Sequence, residues 1–391
     1  MRKAILAVSI VVVLAVLPAV AQSVDDVIAR HIEARGGRAT WDAVRTMKIT
    51  GSFTSFSVVS PFTLQRKRDD RYHVDYVWND KPVVFGYDGE LAWWEHGWYQ
   101  EGVQPVTGQD LFVVMGDVHF ATPLFDYKDR DYTAELLGET EMDGIPAIAI
   151  KLTRPDEQEE TWYLDPETYL EMGRESPGSD FGNPMVQRTY YDDFRKVDGL
   201  VIPHLTEAQW YTRDRVMRVD AIEINGEVDE ALFEMPPRLG MEKLASMIGA
   251  WGVVVEQQGR GNQWSESSRT STIESVLSGG LLEERYTNGA GSLVVRTLSY
   301  DRHRESYRLT QIDEASTWLD VREGVFDEDG RLSVSNVKTG TSDLSRGDTA
   351  HQRLSFFEIH DDTFKVEWES STDGGENWAV VAKATYTRKQ P

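Results

Sequence analysis

The chain contains no cysteine. That excludes disulfides, thiol catalysis and thiolate metal ligands. It also excludes the lipidated cysteine that anchors a bacterial lipoprotein. Positive charge is scarce: 41 Lys and Arg stand against 65 Asp and Glu, a formal net charge of −24. Such a surface repels nucleic acid and anionic lipid headgroups. Its ordinary meaning is solubility, and it implies no acidic substrate. After residue 21 no apolar run approaches the roughly 20 residues of a membrane span, so no span is expected in the mature chain. Low-complexity tracts and short repeats of solenoid or propeller type are absent. So are the GxSxG elbow, the HExxH zinc pair and the P-loop.

What is present begins with MRKAILAVSIVVVLAVLPAVAQ. Arg2 and Lys3 precede an apolar stretch from Ala4 to Leu17, and Ala19-Val20-Ala21 is an A-x-A cleavage site. Residues 1–21 read as a cleavable signal peptide, with the mature chain starting near Gln22. Its removal takes the net charge from −24 to −26. The expected location is the periplasm, with secretion as the other reading.

The mature chain is long enough for two domains, with a boundary expected near residue 238, just past Pro236-Pro237. Ser23 caps a helix, VDDVIARHIEAR, that sets Val24, Val27, Ile28 and Ile32 on one face and ends at Gly36-Gly37. A second short helix is expected in TWDAVRTM. Strands follow. Met47, Ile49, Gly51 and Phe53 alternate with polar residues, and Tyr72, Val74, Tyr76 and Trp78 alternate with His73, Asp75 and Val77. Asp88-Gly89, Asp143-Gly144, Asp198-Gly199 and Asn225-Gly226 suit type I′ turns, which need positive φ twice. GQDLFVVMGDVHFATPLFD reads as a helix or a lid loop. Beyond residue 238 a short helix, MEKLASMIGAWG, leads into about ten further strands, dense enough to close into a barrel or sandwich.

The opening helix and its Trp-bearing successor (HIEARGGRATWDAVRTMKITG) are followed by LQRKRDDRYHVDY, YDGELAWW, ETWYLDPETYLEMGRE, YYDDFRKVDGLVIPH and IEINGEVDEALFEMPP. In that order and spacing they resemble the periplasmic lipoprotein-carrier superfamily, the LolA/LolB-like fold, over residues 22–238. The resemblance implies an open antiparallel half-barrel with a helical lid over an apolar cavity. The chain departs from those carriers by having a second domain. There LASMIGAWG, SLVVRTLSYD, ESYRLTQID and DGGENWAVVAKATYTR resemble a calycin-like domain of unassigned function, DUF1579-like, over residues 239–391. This implies a closed β-barrel able to hold a lipid-like molecule. The fold class expected is therefore mainly β, a half-barrel followed by a closed barrel.

ELAWWEHGWYQ concentrates aromatics: Trp93, Trp94, Trp98 and Tyr99 fall within seven positions. Adjacent strand residues point to opposite faces, so Trp93 and Trp94 cannot form one sugar-stacking platform. Core and cavity lining stay open as readings. The ligand-cavity candidates are Tyr76, Trp78, Phe85, Tyr87, Trp93, Trp94, Trp98, Trp162, Arg296 and Trp368. Arg296 shares a strand face with Val294 and Leu298, and either meets a ligand carboxylate or forms a salt bridge.

Other chemical signals have plainer readings. STDGGENW (371–378) matches the Asp-box turn of propellers but occurs once, as a hairpin turn would. DFG at 180–182 lacks every other kinase element. Asp327, Asp329 and Gly330 lack the downstream glutamate of a calcium loop. His351 and His360 have no second ligand or aromatic cage to mark a haem site, and acidic pairs such as Asp69-Asp70, Asp192-Asp193 and Asp361-Asp362 are turn residues. No metal, cofactor or catalytic residue is expected. The sequence reads as a non-catalytic periplasmic carrier or sensor of an apolar ligand: an acyl chain, a lipid or a lipoprotein. An envelope scaffold with a protein partner is the alternative, and a hydrolase assembled from distant residues the second alternative.

Overall fold

The computed structural model describes residues 22–97, 100–180, 182–210, 213–259, 261–316, 318–342 and 349–389. The expected signal peptide, Trp98 and Tyr99 lie outside them. In chain order the elements are α1 (Val24–Ala34), α2 (Arg38–Asp42), β1 (Thr46–Ser55), β2 (Val58–Lys67), β3 (Arg71–Trp78), β4 (Lys81–Tyr87), β5 (Ala92–His96), β6 (Gln100–Pro105) and α3 (Gln109–Asp117). Then come β7 (Thr133–Met142), β8 (Ile145–Thr153), β9 (Glu159–Leu164), β10 (Glu171–Asp180), β11 (Asn183–Val197), β12 (Leu200–Trp210) and β13 (Arg213–Ile224). After two 3₁₀ turns, Glu230–Leu232 and Glu242–Met247, ten strands follow. They are β14 (Gly249–Gln258), β15 (Trp264–Val276), β16 (Leu281–Thr287), β17 (Leu293–Asp301), β18 (Ser306–Asp313), β19 (Asp320–Phe326), β20 (Leu332–Ser335), β21 (His351–Phe357), β22 (Thr363–Ser371) and β23 (Ala379–Arg388).

Among the described residues the protein is mainly β. Thirteen strands form an open antiparallel sheet in the order β6-β5-β4-β3-β2-β1-β13-β12-β11-β10-β9-β8-β7, and β14 to β23 close a barrel in sequence order. The chain packs as two compact units, Met1–Asp70 with Gly108–Val228, and Arg71–Thr107 with Asp229–Pro391.

In the first unit, α1 opens with a capping box: Ser23 Oγ accepts from the Asp26 N–H, and Asp26 accepts from the Ser23 N–H. Val27, Ile28 and Ile32 bury one helical face in a core with Trp41, Leu124, Ile150, Leu152, Leu164 and Leu200. The stop at Gly36 is steric as well as conformational. Its φ is +107°, and a Cβ there would lie 2.3 Å from the Gly199 carbonyl oxygen. The second helix is shorter and earlier than TWDAVRTM suggested, because β1 already begins at Thr46. The middle stretch does form a helix, α3, but one of nine residues whose apolar side chains are all half-buried except Val114.

Of the expected type I′ dipeptides, Asp143-Gly144 and Asp198-Gly199 hold positive φ at both positions, whereas Asp88 and Gly226 do not. Asn225-Gly226 is no hairpin. There the chain leaves β13, and the Asn225 side chain ties it down, accepting from the Arg45 N–H at 2.6 Å. The outermost strand β7 carries a bulge between Leu136 and Gly138, and its Glu135, Glu139 and Glu141 are exposed.

In the second unit the barrel core is built from alternating inward residues. Trp251, Leu309, Leu332, Val334, Leu354, Phe364, Val366 and Tyr386 are each at most 1% exposed. The 3₁₀ turn Glu242–Met247 contributes Leu244 and Met247 to it. It is fastened by the Trp251 indole N–H on Met247 O (2.9 Å) and the Tyr307 hydroxyl on Gly240 O (2.6 Å).

Candidate functional site

One cross-strand row of the barrel breaks the apolar pattern. Ile273, Glu284, Arg296, Gln311 and Asp320 pair successively across β15 to β19. The neighbouring pairs Leu282–Leu298, Leu298–Leu309 and Leu309–Arg322 place Arg322 on the same face. Charged side chains at inward register positions are costly unless paired, and most of these are.

Glu284 Oε2 accepts from Arg296 Nη1 at 2.7 Å, and its Oε1 accepts from the hydroxyls of Ser271 and Tyr386, both at 2.7 Å. Arg296 Nη2 also donates to Tyr286 Oη (3.0 Å) and Gln311 Oε1 (3.1 Å). Burial works against the Arg296 charge, but Tyr286 and Glu284 more than offset it, so the group is held charged. Burial, reinforced by Glu284, pushes the Tyr386 hydroxyl up.

Arg322 is placed differently. It is 3% exposed, and its Nε donates to Asp320 Oδ2 at 2.6 Å. Asp320 in turn accepts from Asn336 and Thr341. Burial and the nearby Arg296 pull Arg322 below the usual arginine range, with Asp320 opposing. Its Nη1 is buried and has no partner among the described residues. Arg269, paired with Val253 on β14, lies with its guanidinium carbon 3.7 Å from the centroid of the Tyr286 ring. Its Nε and Nη2 are also buried and unpartnered. Among the described residues, Arg269, Arg296 and Arg322 outnumber Glu284 and Asp320 here by one, while Asp313, on the same face at the end of β18, is taken up by the Ala315 N–H. The chamber can therefore accept an anion, and guanidinium forks are well matched to a carboxylate.

The proposed cavity residues separate. Arg296 forms the salt bridge, not a free anchor, and Trp368 lies 5.6 Å from it by ring centroid. These two alone of the ten meet in the barrel chamber among the described residues. Phe85 and Trp94 share one face of the sheet, 5.8 Å apart, in register with Val74. Tyr76 and Trp78 are half-buried on that same face, and the Tyr87 hydroxyl is spent on Gly89 O. Trp93 takes the opposite face, 3% exposed, with its N–H on Phe233 O at 2.7 Å. Trp162 belongs to the first unit, stacked on Tyr191 with ring centroids 6.1 Å apart.

The sequence reading missed Glu284, Tyr286, Arg322 and Arg269. The signal was available in LLEERYT, where Glu284 falls between Leu282 and Tyr286 on the inward parity. The second unit also holds a cleft of about 660 Å³, lined in part by Leu91, Met235, Pro236, Pro237, Met241 and Leu282, with Arg71, Glu90 and Arg238.

Residues 237–388 match the model of a protein family of unknown function, DUF1579. No curated protein matches the sequence. Among solved structures, the chain is similar to a LolA superfamily protein from Nitrosomonas europaea, with 13% identity and a TM-score of 0.37, covering 54% of this chain and 97% of that one. It is similar to a DUF1329 family protein from Desulfovibrio piger, with 13% identity and a TM-score of 0.39, covering 55% and 98%. It is also similar to the Pseudomonas aeruginosa MucA/MucB complex, with 9% identity and a TM-score of 0.20, covering 92% and 93%. The first half resembles LolA superfamily proteins and the second half DUF1579.

Proposed function

We propose that this chain is an exported, non-catalytic binding protein whose closed barrel holds an anionic amphiphile, a carboxylate on a short apolar body. One observation carries the reading: the unpartnered, buried N–H groups of Arg269 and Arg322 in a chamber with surplus positive charge. A buried charged donor without an acceptor is destabilising, and a ligand carboxylate would supply the missing oxygens. The half-buried Trp368 and Val255, which pack against the barrel core, offer apolar surface to the ligand body. Each methylene buried there adds about 0.8 kcal/mol. The rest of the interior is filled by the protein's own side chains, which favours a short body over a long acyl chain. The MucA/MucB resemblance supplies no argument for a protein partner, so the scaffold reading stays second.

The test is titration of the purified full chain with sodium octanoate, followed by calorimetry, for wild type and Arg269→Met. The reading expects saturable binding that weakens at least tenfold in the variant, about 1.4 kcal/mol. Octanoate affinity that is equal in both proteins, or undetectable in the wild type, would remove it.

A further inference from the structure

The first unit buries a second set of unsatisfied polar atoms, chemically unlike the first. Glu160 and Trp162 on β9 share the inward parity of a strand whose burial alternates. Arg174 on β10 pairs with Trp162 on one side and Thr189 on the other, and Ser176 pairs with Gln187 on β11. Glu160, Trp162, Arg174 and Gln187 are all 6% exposed or less. Glu160 Oε1, Trp162 Nε1, Arg174 Nε and Gln187 Oε1 have no hydrogen-bond partner among the described residues.

Three of these residues, Glu160, Trp162 and Arg174, meet, and Gln187 stands one same-face position along β11 from Thr189, the cross-strand neighbour of Arg174. The Arg174 guanidinium carbon lies 5.5 Å from the Trp162 ring centroid, and its Nη1 is 4.0 Å from Glu160 Oε2. Burial pushes the Glu160 carboxyl up, opposed first by Arg174 and then by the adjacent Trp162 N–H. That N–H nevertheless misses hydrogen-bond geometry. Arg174 Nη1 and Nη2 are spent on Gly116 O (2.6 Å) and Asp117 Oδ1 (3.1 Å), at the end of α3. Its buried Nε makes no hydrogen bond among the described residues.

We infer that this floor beside α3 binds a neutral head group carrying hydroxyls or an amide, not a bare hydrocarbon and not an anion. Charge gives an anion no advantage here, since Glu160 and Asp117 balance Arg174 and the nearby Arg154. The unsatisfied set mixes donors (Trp162 Nε1, Arg174 Nε) with acceptors (Glu160 Oε1, Gln187 Oε1), and a hydroxyl or amide offers both at once. The half-buried apolar side chains of α3, Leu111, Phe112 and Met115, are suited to cover an attached apolar tail. The rival occupant is ordered water, which also satisfies mixed donors and acceptors.

The inference is independent of the barrel reading, and its test separates the two. The full chain is titrated with 1-dodecanoylglycerol, and in parallel with sodium octanoate as the barrel probe. Two conservative variants are used, Gln187→Met and Trp162→Phe, so that poor folding of one, seen by circular dichroism, leaves the other. Each is expected to weaken the glycerol ester about three- to tenfold, the effect of one lost neutral hydrogen bond, with octanoate unmoved. Failure of the ester to bind wild type, or equal binding to wild type and both variants, would assign the floor to ordered water only and overturn the inference.

Discussion

Replacing Glu284 by glutamine tests the barrel's polar chamber most directly. The amide keeps the carboxylate's shape and one acceptor oxygen, but it removes the charge that faces Arg296 at 2.7 Å. It also turns one of two oxygens that together receive three hydrogen bonds into a competing donor, because Ser271 and Tyr386 donate to Oε1 and Arg296 to Oε2. Arg296 and Glu284 are at most 6% exposed, so solvent does not repair the loss. Breaking a buried pair by removing one partner costs about 3–5 kcal/mol. For a unit of this size, each kcal/mol lowers the midpoint by about 2–4 °C, giving a fall of about 6–20 °C.

The assay is thermal melting followed by near-ultraviolet circular dichroism, which reports the Trp251, Phe364 and Tyr386 cluster at the barrel's core. The double variant Glu284→Gln with Arg296→Met, which removes both charges, should recover most of the loss, since an apolar replacement of a buried pair is close to neutral. A fall under about 2 °C in the single variant, or a double variant no better than the single, would show that the chamber is wet and the pair weak.

Other perturbations address other links. Gly86→Ala would set a Cβ 2.1 Å from the Trp93 ring. Expelling that indole from its bond to Phe233 O should cost about 2–4 kcal/mol in urea unfolding, and an unchanged midpoint would show that the sheet shifts instead. His31, His73 and His119 are all held below the usual histidine range, chiefly by burial; around His119 the guanidinium groups of Arg130, Arg174, Arg154 and Arg66 add to it. The unfolded chain therefore binds protons first. Stability is present in full above about pH 6.5 and is lost as pH falls below it, by at most about 1.4 kcal/mol per pH unit per histidine. His119→Gln should flatten that fall, and an identical urea-midpoint profile from pH 7.5 to 5.5 would contradict the assignment. Arg174→Met removes the donor to Gly116 O at the end of α3. A lost charged hydrogen bond should speed amide exchange in residues 109–117 about 10- to 150-fold, whereas unchanged exchange would mean that apolar packing alone holds the helix.

The architecture was legible because alternation of side chains is a strong signal when one face is buried. Trp93 and Trp94 had to part company, and they do, one to the Phe233 carbonyl and the other to Phe85. Phe364, Val366 and Trp368 likewise reach the barrel interior together. Turn chemistry was less transferable: Asn225-Gly226 has hairpin composition, yet its asparagine serves as a side-chain staple to Arg45. The site was the least legible part. Arg296 could be singled out by its apolar neighbours, but its partner Glu284 is 12 residues away in sequence. Arg322 and Arg269 sit on strands that close on it only through the barrel. Trp162 stood out as an aromatic, but Glu160 and Arg174 are ordinary in sequence, and the distinction of all three is burial without satisfaction, a property of packing.

The free margin of the open sheet has a consequence for handling and for evolution. β7 is an outermost strand, with unpaired backbone on one side, yet it is bent at Gly138 and lined with Glu135, Glu139 and Glu141. Kinking and like charge keep a second copy from zipping onto it. That protection is partly ionic, so concentrated salt screens it while the kink remains. Fibrous or stacked polymers should grow at this margin from protein held in concentrated salt, while the closed barrel, which offers no comparable seam among the described residues, stays out of them.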